Sequence, residues 1–434
     1  MFLGIIGFLM VAALVTLLIS KKASPIVAFI LVPIVGGLIA GFSPMEIVDF
    51  AVDGLAGNLK NTMMICFAVL FFCVIIDTGA FERIVARLIS AIHGNITMLM
   101  ILTVIITIIG HLDGSGPSTF LISLVPLLPI YKKMKINPLI ALCLCCGTAG
   151  IANAVPWGGP AARAATGLGV ESAAIWRYGL PMQITGIVCM LLLACYFARK
   201  EKARLAASGE LVQVTESFGL ESQLDPELLR PKMFFINLLL IVVVVATLVV
   251  MPDVPPHIVF MVAFAVALLI NYPNSKDQIK VFKLHAGEAW FVASIIFAAG
   301  FFSGVMSGAE LPTHMAELLM SIIPESFLKH VHVVFALFEP IMDPIGMGSD
   351  VQAYGIWPVL ANILAPLDPA RVGAFMVMPF TISNYIAPTT GATYLAIGLA
   401  GVEIGDHMKF CFKYFWAIGV IMVLVALVLG VVPL

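Results

Sequence analysis

The chain has 434 residues, 61% of them hydrophobic and 11% charged, and its 23 Lys and Arg against 25 Asp and Glu leave a net charge of −2. Soluble domains carry roughly 25% charged residues, so this chain cannot cover a globule of its size with polar side chains, and a soluble enzyme or binding module is excluded. The near-zero net charge gives no basic field for nucleic acid, and the composition reads as an all-α polytopic protein of the lipid bilayer.

In chain order, the first half offers apolar spans at 2–20, 24–42 and 61–79. The stretch Met1–Ser20 has no basic residue ahead of its apolar run and is followed by Lys21-Lys22, so it reads as a span with an outside N-terminus, not a signal peptide. Glu46–Lys60 and Phe81–His93 read as amphipathic interfacial helices. An apolar pair follows at 97–111 and 117–131, then a broken segment 137–175 and a span 178–198. Residues 199–232 carry Arg199, Lys200, Lys202, Arg204, Arg230 and Lys232 and read as a cytoplasmic linker by the positive-inside rule. The second half offers 233–252, 257–272, 289–307, a pair at 331–346 and 351–365, a broken segment 372–404 and a span 411–433. The stretches Ile136–Ala162, Met233–Pro252, Val372–Val402 and Tyr414–Leu434 contain no Asp, Glu, Lys or Arg. Each reaches the ~20 residues that cross the hydrocarbon as a helix.

The halves answer each other. Gly114 and Gly116 correspond to Gly346 and Gly348, Pro126 to Pro358, Pro156 to Pro388, Gly159 to Gly391, and Gly169-Val170-Glu171 to Gly401-Val402-Glu403, all at an offset of 232. Phe71-Phe72 corresponds to Phe301-Phe302 at 230. A nearly constant offset, held by residues with backbone roles, argues for a duplicated unit. Arg83 and Arg87 precede the first apolar pair and Lys132, Lys133 and Lys135 follow it, so both its ends are cytoplasmic and the pair reads as a re-entrant hairpin with its tip at Asp113–Thr119. Each half then holds five transmembrane helices plus one re-entrant hairpin, about 10 spans, 2 hairpins and two broken helices in all. Five being odd, the second copy is inserted upside down, an inverted repeat of the kind secondary transporters use. The expected organisation is a first repeat 1–198 (1–60 scaffold, 61–198 with hairpin 97–131 and broken helix 137–175) and a second, inverted repeat 233–434 (hairpin 331–365, broken helix 372–404).

Four places put helix breakers in mid-membrane: the two hairpin tips, Asn153–Pro160, and Ser383–Gly391. Single Gly or Pro residues commonly just kink helices for packing, but open backbone costs several kcal/mol per unsatisfied group in lipid, so four paired breaks point to a cavity. Four half-helix N-termini would converge there, with N–H groups and positive dipole ends that attract carboxylates. Gly114, Ser115, Gly116, Ser118, Thr119, Asn153, Gly158, Gly159, Ser349, Ser383, Asn384, Thr389 and Thr390 are the candidates to bind substrate, and Arg163 brings a fork suited to a carboxylate. Asp113 and Asp350, with Asn153 and Asn384, are the candidates for a coupling ion or metal, since a charge in mid-membrane costs ~2.5–3.5 kcal/mol or more. The plainer reading of the two aspartates is helix capping, and of Arg163 a structural ion pair. Glu339, Asp343 and His111 are weaker candidates, for a proton relay; Asp77 reads as interfacial and solvated, and His330 and His332 as an exposed loop. The cysteines, including Cys143-Leu144-Cys145-Cys146, read as small packing residues. The sequence contains neither His-Glu-x-x-His nor Gly-x-Ser-x-Gly, which disfavours an intramembrane enzyme. Channels build pores by symmetry around several chains, whereas this pseudo-symmetry is internal.

At these breaks the sequence resembles the citrate–metal:proton symporter (CitMHS) family of the ion-transporter superfamily. The resemblance is carried by Leu112–Phe120, Pro126–Lys132, Asn137-Pro138-Leu139, Val155–Arg163 and Thr393–His407, with Pro156-Trp157-Gly158-Gly159-Pro160 and Gly398-Leu399-Ala400-Gly401-Val402 the most specific stretches. It implies a multi-pass carrier of the bacterial cytoplasmic (inner) membrane for citrate or a related di- or tricarboxylate, coupled to H+, with Mg2+ or Ca2+ as a metal that can travel with the substrate. It implies no tightly bound cofactor, a homodimer, and an elevator-type transport domain moving against a scaffold. Ser115 stands where the family pattern has an acid, Gly348 where it has Ser, Ser349 where it has Asn, and Val155 where it has Thr. Ser383-Asn384 and Pro388-Thr389-Thr390 also resemble the sodium-coupled dicarboxylate carriers of the same superfamily, which makes Na+ the alternative coupling ion.

Overall fold

The computed structural model describes residues 1–20, 22–92, 94–208, 225–251, 253–322, 324, 330–388 and 390–433. Among the described residues there is no strand. The first half forms α1 (Phe2–Ile19), α2 (Pro25–Ala40), α3 (Pro44–Asp77), α4 (Ala80–Ser90), α5 (Ile96–Gly110), α6 (Gly116–Lys133), α7 (Pro138–Ala152), α8 (Gly159–Leu168) and α9 (Ser172–Ala207). The second forms α10 (Phe234–Val250), α11 (Pro256–Asn271), α12 (Ser275–Gly308), α13 (Leu311–Ile322), α14 (Val331–Met342), α15 (349–363, with a π-helical turn Gln352–Ile356), α16 (Pro369–Thr381), α17 (Gly391–Ala400) and α18 (Ile404–Val428). Proline occupies the first turn of α2, α3, α6, α7, α8, α11 and α16, where its fixed φ suits the helix and its missing N–H costs nothing. Ser43 and Glu46 cap α3 reciprocally: Ser43 N donates to Glu46 Oε2 at 2.7 Å and Glu46 N to Ser43 Oγ at 3.3 Å.

The same backbone events recur in both halves. Gly114 and Gly346 are left-handed (φ +74° and +96°) just before α6 and α15. Gly169 and Gly401 end α8 and α17 in the same conformation (φ +67° and +68°), and Gly159 and Gly391 begin those helices. The halves pack crosswise: α2 lies on α12, α11 on α3, α6 on α17 and α8 on α15. The long helices α3 and α12, 34 residues each, make the most extensive helix–helix contact among the described residues. They run antiparallel and cross at glycine, where a Cβ added to Gly54 would meet Gly304 N at 2.7 Å. Such small-residue crossings let helices approach closely where lipid gives no hydrophobic drive.

α3, α9, α12, α18 and the segment Pro231–Leu248 leading through α10 are long and apolar enough to cross a bilayer. Large apolar side chains point outward, among them Phe235, Leu239 and Val242 on α10 and Val262 and Leu269 on α11. The chain is a multi-pass membrane protein.

Several elements differ from the sequence expectation. The segment 46–60 does not lie apart at an interface: it is continuous with 61–77 in α3, because Gly54 falls where the helix is braced by α12 and not at an end. Likewise 289–307 is only the later part of α12. α4 buries Phe81, Val85 and Ile89 against the protein, so its apolar stripe serves the core. α9 runs on through Ala207 into the expected linker, held by a Glu201–Arg204 pair at 2.8 Å and by Arg204 donating to the Lys135 carbonyl at 2.6 Å. Residues 209–224 of that linker lie outside the described residues. His332 is not in an exposed loop; it is buried on α14 with Nε2 2.8 Å from the Pro433 carbonyl. Asp77 is mostly covered, with His285 Nε2 at 2.7 Å and about 13% of its side chain exposed.

Candidate functional site

Four interruptions come together around one polar cavity of about 330 Å³. Gly114 lines it from the first tip; Asn153, Gly159, Pro160 and Arg163 from the break between α7 and α8. Asp343, Gly348, Ser349 and Asp350 line it from the second tip, and Asn384, Tyr385 and Thr390 from the break between α16 and α17. Its volume falls at the low end of the range for small-molecule sites, about 300–1,000 Å³, enough for a small carboxylate. None of the half-helices α6, α8, α15 and α17 has a side-chain cap, so their N-terminal N–H groups are left to backbone, solvent or ligand.

The first tip is built by Asp113. Its Oδ1 accepts from Ser115 N at 2.8 Å and its Oδ2 from the Ser118 hydroxyl, which ties the turn to the first residues of α6. Thr119 sits beneath, 2.6 Å from His111 Nδ1 and donating to the Ser115 carbonyl at 2.6 Å. Trp157 Nε1 donates to the Leu112 carbonyl at 2.8 Å and so fixes the first break against this tip. Gly116 is a close-approach glycine: a Cβ there would lie 2.7 Å from the Tyr385 ring and 2.8 Å from Ala392, which seats the first tip on the second break. Tyr385 is itself held by its carbonyl, 3.0 Å from His407 Nε2.

Charge in the cavity is organised by one ion pair. Arg163 Nε donates to Asp350 Oδ1 at 2.5 Å, joining α8 of the first half to α15 of the second, with about a fifth of each side chain exposed. Gly159, one turn before Arg163, makes room for the guanidinium; a Cβ there would stand 2.6 Å from Nη1. Asn153 directly follows α7 and Asn384 lies three residues past the end of α16, and among the described residues the side-chain oxygen of each is buried without a close hydrogen-bond partner. A buried acceptor left unpaired costs about 1–3 kcal/mol, so two of them facing one cavity mark it as built for a donor or a cation.

The structure thus brings Gly114, Asn153, Gly159, Arg163, Ser349, Asp350, Asn384 and Thr390 to the cavity wall. Asp113, Ser115, Gly116, Ser118 and Thr119 shape the tip behind Gly114. Gly158 is packed on the Asn153 carbonyl, Ser383 is buried and donates to the Phe380 carbonyl at 3.0 Å, and Thr389 lies outside the described residues. Three wall residues, Pro160, Gly348 and Tyr385, were not among the sequence's site candidates, and Asp343 was only a weaker one, for a proton relay. Asp343 stands 230 residues after Asp113, the offset already shown by the Phe-Phe pair, and that register points to it as the counterpart of Asp113.

A second cavity, about 250 Å³ between α3, α8 and α12, is of a different kind. Its amides are mutually satisfied: Asn58 Nδ2 donates to the Ile296 carbonyl at 2.8 Å, Thr166 to Asn58 Oδ1 at 2.7 Å and Asn61 Nδ2 to the Val170 carbonyl at 3.1 Å.

The family model described as CitMHS, citrate transporter, matches residues 6–347. A citrate transporter of Bacillus subtilis (strain 168) is 33% identical over 434 residues, covering 99% of each chain. A Mg(2+)/citrate complex secondary transporter of the same organism is 32% identical over 434 residues, covering 100% of this chain and 99% of its own. Among solved structures, the YdaH transporter of Alcanivorax borkumensis superposes with a TM-score of 0.57 at 16% identity, covering 88% of each chain, a likeness of fold.

Proposed function

The chain belongs to the citrate transporter family, and from that premise we propose that it is a secondary active symporter for citrate or a related di- or tricarboxylate in the bacterial cytoplasmic membrane. The cavity between the two tips and the two breaks is the binding site. The hairpins are re-entrant, the halves are inverted copies, and access alternates by an elevator-type movement of the site within a homodimer.

The observation that carries this reading is the Arg163–Asp350 pair in a cavity ringed by half-helix ends. A substrate carboxylate competes with Asp350 for the guanidinium. Taken alone, it would leave the aspartate poorly compensated, and an unpaired buried charge costs about 3–5 kcal/mol. A cation arriving with the carboxylate removes that cost: the anion takes Arg163 while the cation takes Asp350. A proton does this by neutralising Asp350. A divalent metal complexed to the substrate does it by ligation, and the named activity of one relative, transport of a Mg(2+)/citrate complex, makes the metal–citrate pair a natural cargo. Ser349, Thr390 and the N–H groups at the starts of α8 and α17 serve the remaining substrate oxygens. Asp113 keeps the first tip in shape and contributes its charge beside the path of the coupling ion.

Sodium coupling is the second reading, favoured by the two orphan amide oxygens of Asn153 and Asn384, since a hard cation takes oxygen ligands. Counterflow in proteoliposomes with labelled citrate, malate and tricarballylate, each with and without Mg2+, Ca2+ and Na+, separates these forms. Citrate is expected to exchange, with proton dependence and stimulation by Mg2+. Reconstituted protein that exchanges none of the three carboxylates under any cation would refute the assignment.

A further inference from the structure

Away from the cavity, the two long helices carry a cluster that transport of a carboxylate does not use. Cys73 and Asp77 lie four residues apart on α3, and His285 and Glu288 three apart on α12. Each pair is therefore on one helix face, and the two faces meet. One ligand atom from each of Cys73, His285 and Glu288 lies within 4.8 Å of the other two. Cys73 Sγ is 3.8 Å from Glu288 Oε2, and His285 Nε2 is 2.7 Å from Asp77 Oδ2.

We propose that α3 and α12 together form a transition-metal site of the Zn2+ type, with Cys73, His285 and Glu288 as ligands and Asp77 holding the imidazole, separate from the substrate cavity. The donor set selects the metal. A thiolate and an imidazole favour Zn2+ or Co2+ over Mg2+ and Ca2+, which take oxygen. Donors around tetrahedral zinc stand about 3.4–3.8 Å apart, from bond lengths of roughly 2.0–2.3 Å. The cluster therefore needs only rotamer adjustment at the ends of three side chains, with no movement of either helix. The carboxylate on one ring nitrogen is the usual outer partner of a metal-binding histidine, fixing its tautomer and raising its basicity. Three protein ligands leave the fourth position to water. Glu288 is exposed and Cys73 partly so, which gives an ion a way in. A bound metal would tie the first half to the second at the end of the α3–α12 contact farthest from the Gly54–Gly304 crossing.

The test uses full-length protein purified in detergent, stripped with chelator, free of citrate and titrated with CoCl2. One Co2+ per chain is expected, with a thiolate-to-cobalt absorption band that Zn2+ abolishes by competition and Mg2+ leaves unchanged. Cys73→Ser should lose the band and His285→Gln most of the binding. Asp77→Asn should weaken affinity about 10–100-fold, and Cys66→Ser, a control about two turns away on α3, should behave as the parent. The two ligand variants guard against one of them failing to fold. A parent protein with no thiolate band, or a band that survives in both Cys73→Ser and His285→Gln, overturns the site.

Discussion

At the scale of single residues, the cavity depends on which polar atoms are already committed. Both Asp113 oxygens are engaged by the tip it caps, so Asp113→Asn keeps the shape while removing the charge. The variant is expected to reach the membrane and lose coupled uptake; citrate-driven proton uptake equal to the parent's would reject a coupling role. Asp350→Asn should free Arg163 for substrate without a cation, so that citrate counterflow loses its dependence on protons and Mg2+. A retained dependence would move the coupling site elsewhere. Gly159→Ala pushes against the guanidinium, and losing a charge-assisted hydrogen bond worth about 1.5–3 kcal/mol should raise the half-saturation concentration for citrate roughly 10–100-fold. Most wall residues could be read from the sequence because they sit in breaks. Tyr385 lies in such a break too but was passed over, since an aromatic beside Ile386 and Ala387 looks like core until the Gly116 tip is seen resting against its ring. The pairing of Arg163 with Asp350 was also hidden, because it joins residues 187 positions apart through a fold that spacing alone does not specify.

At the scale of elements, glycine sets the close contacts. The α3–α12 crossing places Gly54 against the Gly300 carbonyl and the Gly304 backbone, whereas Gly57, a turn away, has nothing within 4 Å of an added Cβ. Gly54→Val should therefore overpack the crossing by about 1–3 kcal/mol and lower the thermal midpoint of the purified protein, while Gly57→Ala should leave the midpoint unchanged or raise it slightly. Equal effects at the two positions would mean that the crossing is looser than described. Helix length was the least legible element property. Charged and polar residues such as Asp49, Asp53, Asn58 and Lys60 interrupt the hydropathy of α3, yet none of them stops a helix. Only packing against α12 reveals that one rod of 34 residues continues past them.

For the whole molecule, the offset of 232 was legible because the residues that hold it fix backbone conformation: left-handed glycines and the glycines at the starts of half-helices recur where the register says they should. The crosswise packing of the halves was not legible, since an offset relates positions in the chain and says nothing of which surfaces meet. If the halves are inverted, the bases of the two tip-bearing helix pairs lie on opposite faces of the membrane. A single cysteine at Lys132, at the base of the first pair, should then react with an impermeant thiol reagent from the inside and one at His330, at the base of the second, from the outside. Labelling of both from one side would exclude the inverted arrangement.

For the proposed carrier, the salt link between α8 and α15 bears on the half of the cycle in which nothing is carried. A lone guanidinium exposed in the low-dielectric interior would pin an empty carrier to whichever side last released its load. Joined to Asp350, it forms a dipole with no net charge of its own, so reorientation without cargo need not drag a bare cation through the membrane. The same contact that makes loading require two partners together would, on this view, let the unladen protein reset.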